Sequence, residues 1–97
     1  MIVLTCNLTL YSGTGRTTPI LSGYRPLFNF PYASSKYSGR IDLTDGEQFF
    51  PGTTLVVDIS FSEKYLDVRN LNVGTRFTFD EGTQPIGEGE ILKTQSS

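Results

Sequence analysis

The sequence predicts a small all-β domain, and three features of its pattern support that prediction. Apolar and polar residues alternate with a period of two in the most regular segments, which is typical of half-buried strands. Glycine, proline, aspartate and serine residues that form turns separate those segments. No segment has the apolar period of an amphipathic helix. Short strands with turns between them indicate a small barrel or sandwich.

The first predicted strand runs from Ile2 to Tyr11. Every second residue in it is apolar and belongs to one face: Ile2, Leu4, Cys6, Leu8 and Leu10. Residues 12–18 are rich in glycine, serine and threonine and predict a surface loop. Four aromatic residues then share one parity and predict a second strand with an aromatic face: Tyr24, Phe28, Phe30 and Tyr32.

Two more strands are predicted in the middle of the chain. A short strand over residues 39–43 leads to Asp45 and Gly46, and this pair is a hairpin-turn signal because glycine accepts a positive φ. Pro51 and Gly52 form another turn. The longest regular alternation follows and predicts a strand at the centre of the fold, with one apolar face: Leu55, Val57, Ile59 and Phe61.

The last third of the chain is less regular. Residues 62–73 have no clean period and predict a loop or a single helical turn. Residues 76–79 alternate again, residues 80–85 are rich in turn formers, and residues 86–92 extend with glycines at positions 87 and 89. This succession predicts a closing hairpin.

Composition and charge limit the domain organisation and the partners. The 97 residues fit one domain, spanning residues 1–97, around a single core. Eight basic residues against ten acidic ones give a net charge of −2, so no overall positive field attracts a phosphate backbone. Residues 1–6 carry no basic region and no long apolar run, so we expect no signal peptide and no membrane helix there. The single cysteine, Cys6, fits a reducing compartment, and we therefore expect a cytoplasmic protein.

The residue types that serve catalysis and metal binding are scarce. Without histidine and with one cysteine, the chain offers no Ser-His-Asp or Cys-His pair, so we expect no enzymatic activity, no metal site and no cofactor. Four acidic residues lie near the predicted closing hairpin: Asp80, Glu81, Glu88 and Glu90. We expect a solvated acidic edge; the alternative is a set of carboxylates paired across the hairpin that holds a cation.

Residues 15–28 contain two uncommon motifs. They are Gly-Arg-Thr-Thr-Pro and, three residues later, Gly-Tyr-Arg-Pro-Leu-Phe. Further motifs follow in order at residues 38–39, 51–52, 74–77 and 81–89. Together they resemble the third, C-terminal domain of bacterial elongation factor Tu. The resemblance implies a stand-alone six-stranded antiparallel barrel without GTP binding, because the family's nucleotide-binding loop has no counterpart in this sequence.

The resemblance also implies a binding surface, since this domain of the family holds the T-stem of aminoacyl-tRNA and contacts protein partners. Three positions match the family's contacts to the tRNA: Ser38, Glu81 and Gly82. Three others depart from it: Thr17 replaces a histidine, Leu27 a glutamine and Asp80 an arginine. An aspartate in place of a phosphate-facing arginine reverses the favourable charge and weakens the expected tRNA binding.

Four residues are candidates for a recognition surface: Arg16, Tyr24, Arg25 and Arg76. Ordinary surface salt bridges are the alternative for the three arginines. The first functional hypothesis is a non-enzymatic binding module that acts on a translation partner. The second is a protein-interaction or immunity-type module that kept the barrel and lost the tRNA face, since a fold alone does not fix a function.

Overall fold

The computed structural model describes residues 1–13, 17–44, 46, 48–62 and 71–96. The described residues form nine strands: β1 (Ile2–Leu10), β2 (Ile20–Leu21), β3 (Leu27–Asn29), β4 (Tyr37–Ser38), β5 (Arg40–Leu43), β6 (Gln48–Phe49), β7 (Thr54–Phe61), β8 (Arg76–Asp80) and β9 (Pro85–Ser96). They include no helix that is long and apolar enough to cross a membrane.

Seven of these strands form one antiparallel sheet that is nearly closed into a barrel. Their order is β4-β3-β8-β9-β1-β7-β5, and β2 pairs with β6 in a separate two-stranded sheet. Backbone hydrogen bonds join the segment before β3 to the β5 edge: Ile41 N donates to Tyr24 O at 2.8 Å and Gly23 N donates to Ile41 O at 2.7 Å. The all-β prediction is confirmed, and the main sheet has seven strands where six were expected.

The alternation read from the sequence places the core correctly. In β1 the five apolar residues of one parity are buried, while the residues between them are half-buried or exposed. In β7, Val57, Ile59 and Phe61 are buried and Leu55 is half-buried. Phe28 lies in the middle of this core, with its ring centroid 5.4 Å from that of Phe61 and 5.7 Å from that of Phe77.

The predicted aromatic strand is shorter than expected. Strand β3 has three residues, and the aromatic side chains around it divide: Phe28 and Phe30 are buried, whereas Tyr32 is 40% exposed. Pro26 and Pro31 stand on either side of the strand. Because proline has no backbone N–H, it limits the ladder at both ends.

The predicted hairpin at Gly46 is wrong. Gly46 has a positive φ of 82°, so the chain does turn there, but the strands on its two sides belong to different sheets. Strand β5 pairs with β7, and Phe49 of β6 pairs with Ile20 of β2. Asp45 lies outside the described residues. The Asp-Gly pair correctly predicted a turn with a positive φ at Gly46, but it carries no information about which strands β5 and β6 pair with.

Two other predictions concern β7 and the closing hairpin. Strand β7 lies next to the β5 edge of the sheet, so it is not the central strand; the middle of the order is β9, whose 12 residues pair with β1 and β8. The closing hairpin of β8 and β9 is confirmed. The prediction for residues 62–73 falls mostly on residues 63–70, which lie outside the described residues.

Glycines allow aromatic rings to lie directly on the backbone of β9. A Cβ atom at Gly87 would lie 2.3 Å from Cζ of Phe79, and one at Gly89 would lie 2.7 Å from Cζ of Phe77. Real Cβ atoms do not approach so closely, and a larger residue at either position would displace a core ring. The two glycines thus serve the packing of the barrel.

Candidate functional site

The strand register brings the three residues selected by resemblance to one end of the barrel. Leu27 of β3 pairs with Ser38 of β4 on one side and with Asp80 of β8 on the other. Glu81 and Gly82 follow Asp80 directly, in the turn between β8 and β9. Ser38 and Gly82, which are 44 positions apart in the chain, are therefore brought to the same end of the barrel by the adjacent strands β4, β3 and β8.

Tyr24 and Arg25 join the same end through the segment before β3. The Tyr24 hydroxyl donates a hydrogen bond to Oε2 of Glu81. Gly39 N, next to Ser38, donates to Pro26 O at 3.3 Å. Gly39 has no space for a side chain, because a Cβ atom there would lie 2.6 Å from Cε1 of Phe61. We call the resulting surface the rim surface: Tyr24, Arg25, Ser38, Glu81 and Gly82.

A groove with a volume of about 510 Å³ opens beside Ser38 on the rim surface. Its walls include two cations and several hydroxyl groups: Arg25, Ser35, Lys36, Tyr37 and Ser38. Phe61 also contributes to the lining and is 3% exposed. A groove of this size lies within the range of roughly 300–1,000 Å³ that ligand sites occupy.

Asp80 supports the rim surface from inside the protein. Its side chain is 1% exposed and accepts hydrogen bonds from Lys36 Nζ at 2.6 Å, Asn29 Nδ2 at 2.8 Å and Gly82 N at 2.8 Å. Burial alone would raise the pKa of the carboxyl group, but these hydrogen bonds and the charge of Lys36 outweigh it and lower that pKa. Asp80 therefore ties together β3, the segment before β4 and the turn after β8.

The position of Asp80 changes the charge argument drawn from the sequence. The prediction placed an exposed negative charge where a partner phosphate would lie, whereas the carboxylate is buried and paired with a lysine. Asp80 lowers the positive charge of the surface only indirectly, because it neutralises the ammonium group of Lys36. The side chain of Lys36 remains 43% exposed at the groove while its ammonium group is held by Asp80.

Arg25 is the unpaired cation among the described residues that line the groove. Its side chain is exposed, and within the described part of the chain its guanidinium has no hydrogen-bond or ion-pair partner. Of the other positions that depart from the family pattern, Leu27 is half-buried and Thr17 is exposed. Arg16 lies outside the described residues, so its predicted role stays a prediction.

Arg76 belongs to a different surface. It stands at the start of β8, four residues from Asp80, which is roughly 13 Å along an extended strand. It is 80% exposed and forms an ion pair with Glu90, with 3.5 Å between Nε and Oε1. Nearby, the Tyr11 hydroxyl donates to Glu88 at 2.9 Å; burial and this carboxylate raise the pKa of Tyr11. We call this surface the Arg76 face: Tyr11, Arg76, Glu88 and Glu90.

The structure does not assemble the acidic residues of the closing hairpin into one site. Asp80 is buried, whereas Glu88 and Glu90 lie on β9 with partners of their own. The residues described contain no group of three or more side chains that could hold a metal ion. Cys6 is buried in the core, and burial together with the charge of Asp58 raises the pKa of its thiol to about 12. Such a thiol is not a nucleophile near neutral pH.

Sequence reasoning missed the residues that build the groove behind Ser38. Asn29 and Lys36 are 51 and 44 positions away from Asp80 in the chain, so no local pattern predicts that they converge on it. Phe61 was identified as a core residue, and its place below the groove depends on the barrel's closure. No protein-family model matches this chain.

Proposed function

We propose that this chain is a non-enzymatic binding module, a counterpart of the third domain of elongation factor Tu, that docks a protein partner on its rim surface. One observation carries the proposal: Ser38, Glu81 and Gly82, which match the family's tRNA-contact positions, lie together at one end of the barrel and form an exposed surface. The adjoining groove provides a concave surface with a free guanidinium. The resemblance makes the module translation-associated.

The charges of the rim surface favour a protein over a nucleic-acid backbone. Binding to a phosphate backbone depends on several cationic contacts made at once. The described lining of the groove has two cations, and Asp80 already neutralises Lys36. Glu81 adds a negative charge at the rim, and the whole chain carries a net charge of −2. These charges support the protein-interaction hypothesis, in which the module has lost the tRNA face.

The test is affinity capture from an extract of cells that express the chain. The rim variant combines Arg25→Glu with Ser38→Arg, two exposed positions, and the matched control is Arg76→Glu on the Arg76 face. We expect the wild type and the control to retain the same protein, the rim variant to lose it, and ribonuclease treatment to leave the result unchanged. Equal retention by the rim variant contradicts the proposal. Loss after ribonuclease treatment shows that RNA is the partner instead.

A further inference from the structure

After internal pairing, the groove beside Ser38 carries a net charge of about +1 over its described lining. Arg25 and Lys36 are the charged residues that line it, and none of its described lining residues has a carboxylate. Lys36 Nζ lies 2.6 Å from Oδ2 of the buried Asp80, so its charge is balanced inside the protein. The charge of Arg25 is not balanced by any described residue. An occupant with one negative charge complements this groove.

The groups around Arg25 define the kind of anion. A guanidinium is a planar fork that matches the two oxygens of a carboxylate. Hydroxyl groups of Ser35, Tyr37 and Ser38 line the same groove and can donate further hydrogen bonds. The volume of about 510 Å³ exceeds the needs of a lone ion and leaves space for the chain that bears the carboxylate. These features fit a peptide segment with an acidic side chain.

We propose that this groove binds the side-chain carboxylate of an acidic segment in the protein partner, with Arg25 as the residue that recognises it. The inference rests on the proposed function and specifies the chemistry of the partner. Asp80 acts here as a positioning residue, because it holds Lys36 at the wall and removes the second free cation. A groove whose described lining has one unpaired cation suits a single carboxylate better than a polyanionic backbone, which gains affinity from several contacts.

The experiment is an NMR titration of the ¹⁵N-labelled full chain at about 0.15 M salt, the regime in which exposed charges are screened beyond a Debye length of roughly 8 Å. The probes are an acetylated, amidated peptide of alternating Gly and Glu, its Gln counterpart, inorganic phosphate and an oligouridine RNA. We expect the Glu peptide to shift the Arg25 Nε–Hε signal and the Ser38 amide saturably. It should bind at least about tenfold more tightly than the Gln peptide, because a charged hydrogen-bond pair is lost in the latter.

Two substitutions of Arg25 separate charge from geometry. Arg25→Ala should abolish the shift at Ser38, and Arg25→Lys should weaken binding several-fold, because lysine keeps the charge and lacks the planar fork. Arg76→Ala is the matched control and should leave the affinity within about twofold, since an exposed charge at this distance is largely screened. The ¹⁵N spectrum of each variant verifies that the barrel is folded.

Three results would overturn the inference. The first is equal binding of the Gln and Glu peptides, or no shift of the Arg25 and Ser38 signals by the Glu peptide. The second is unchanged binding by Arg25→Ala. The third is tighter binding of the RNA or of phosphate than of the Glu peptide, which would identify a phosphoryl site. If the capture experiment succeeds and this titration fails, the ligand class is wrong while the docking function stands.

Discussion

Two arginines that look alike in the sequence occupy opposite electrostatic situations in the structure. Both lie in the motifs that carry the resemblance described above, and both side chains are exposed. Arg76 has a carboxylate of Glu90 at 3.5 Å, on a face where Glu88 also has a hydrogen-bond partner. Arg25 has no described partner and lines the groove of about 510 Å³.

The difference between the two surfaces lies in where the carboxylates are. On the Arg76 face the acidic residues are on the outer side of β9, directly across from β8, and they balance Arg76 at the surface. At the rim surface the corresponding acid, Asp80, is buried and balances Lys36 from below. The buried Asp80 neutralises Lys36, whereas Arg25 has no partner among the described residues. The rim surface therefore keeps a positive charge that a partner can bind.

The largest expected loss of stability comes from truncating the core residues below the two surfaces, and it tests whether the rim surface and the Arg76 face share one core. Phe61 lies below the groove and Phe77 below the Arg76 face, and both are buried against Phe28. Phe61→Ala and Phe77→Ala should each lower the free energy of unfolding by about 3–5 kcal/mol, because truncation leaves a cavity. Urea melts monitored by circular dichroism give the values. A loss below about 1 kcal/mol for either variant would mean that its ring is not in the core.

The next prediction compares the contributions of the Asp80 and Glu90 carboxylates to stability. Asp80→Ala removes the acceptor of Gly82 N, the ion-pair partner of Lys36 and one of the two acceptors of Asn29 Nδ2, and should lower the free energy of unfolding by about 2–3 kcal/mol. Glu90→Ala removes an exposed ion pair and should cost less than about 1 kcal/mol. The same urea melts measure both. Equal costs for the two variants would contradict the assignment of Asp80 as a buried support. For the same reason, Asp80→Arg should disrupt the rim surface.

A smaller effect follows from the titration of Asp80. Its pKa in the folded chain lies below the ordinary value of 3.8, so the unfolded chain takes up this proton first as the pH falls. The carboxylate therefore contributes stability that is fully present above about pH 5 and is lost as the pH falls through 3.8 and the folded pKa. Asp80→Asn should flatten the decline of stability in this acidic window. Urea midpoints measured between about pH 6 and pH 2 decide this, and parallel curves for the variant and the wild type would contradict it.

Local sequence patterns predicted the longer strands and much of the core, but not the two-residue strands β2, β4 and β6. The period of two in β1 and β7 correctly assigned the buried faces, because burial in a strand depends on parity. The same patterns could not predict that Gly46 connects two different sheets, since strand partners are chosen over long distances. The convergence of Asn29, Lys36 and Asp80 was equally inaccessible: each is an ordinary polar residue until the barrel closes around them.

The most direct test of the account is a titration of aminoacyl-tRNA with the intact chain, followed by fluorescence anisotropy at about 0.15 M salt. The central claim is that Asp80 removes Lys36 from the binding surface and that Arg25 is the unpaired cation among the described residues of the groove. It predicts no saturable binding below roughly 10 μM, because even nonspecific affinity needs several phosphate contacts. Tight, salt-dependent binding that Ser38 or Glu81 substitutions abolish would contradict it and restore the tRNA face.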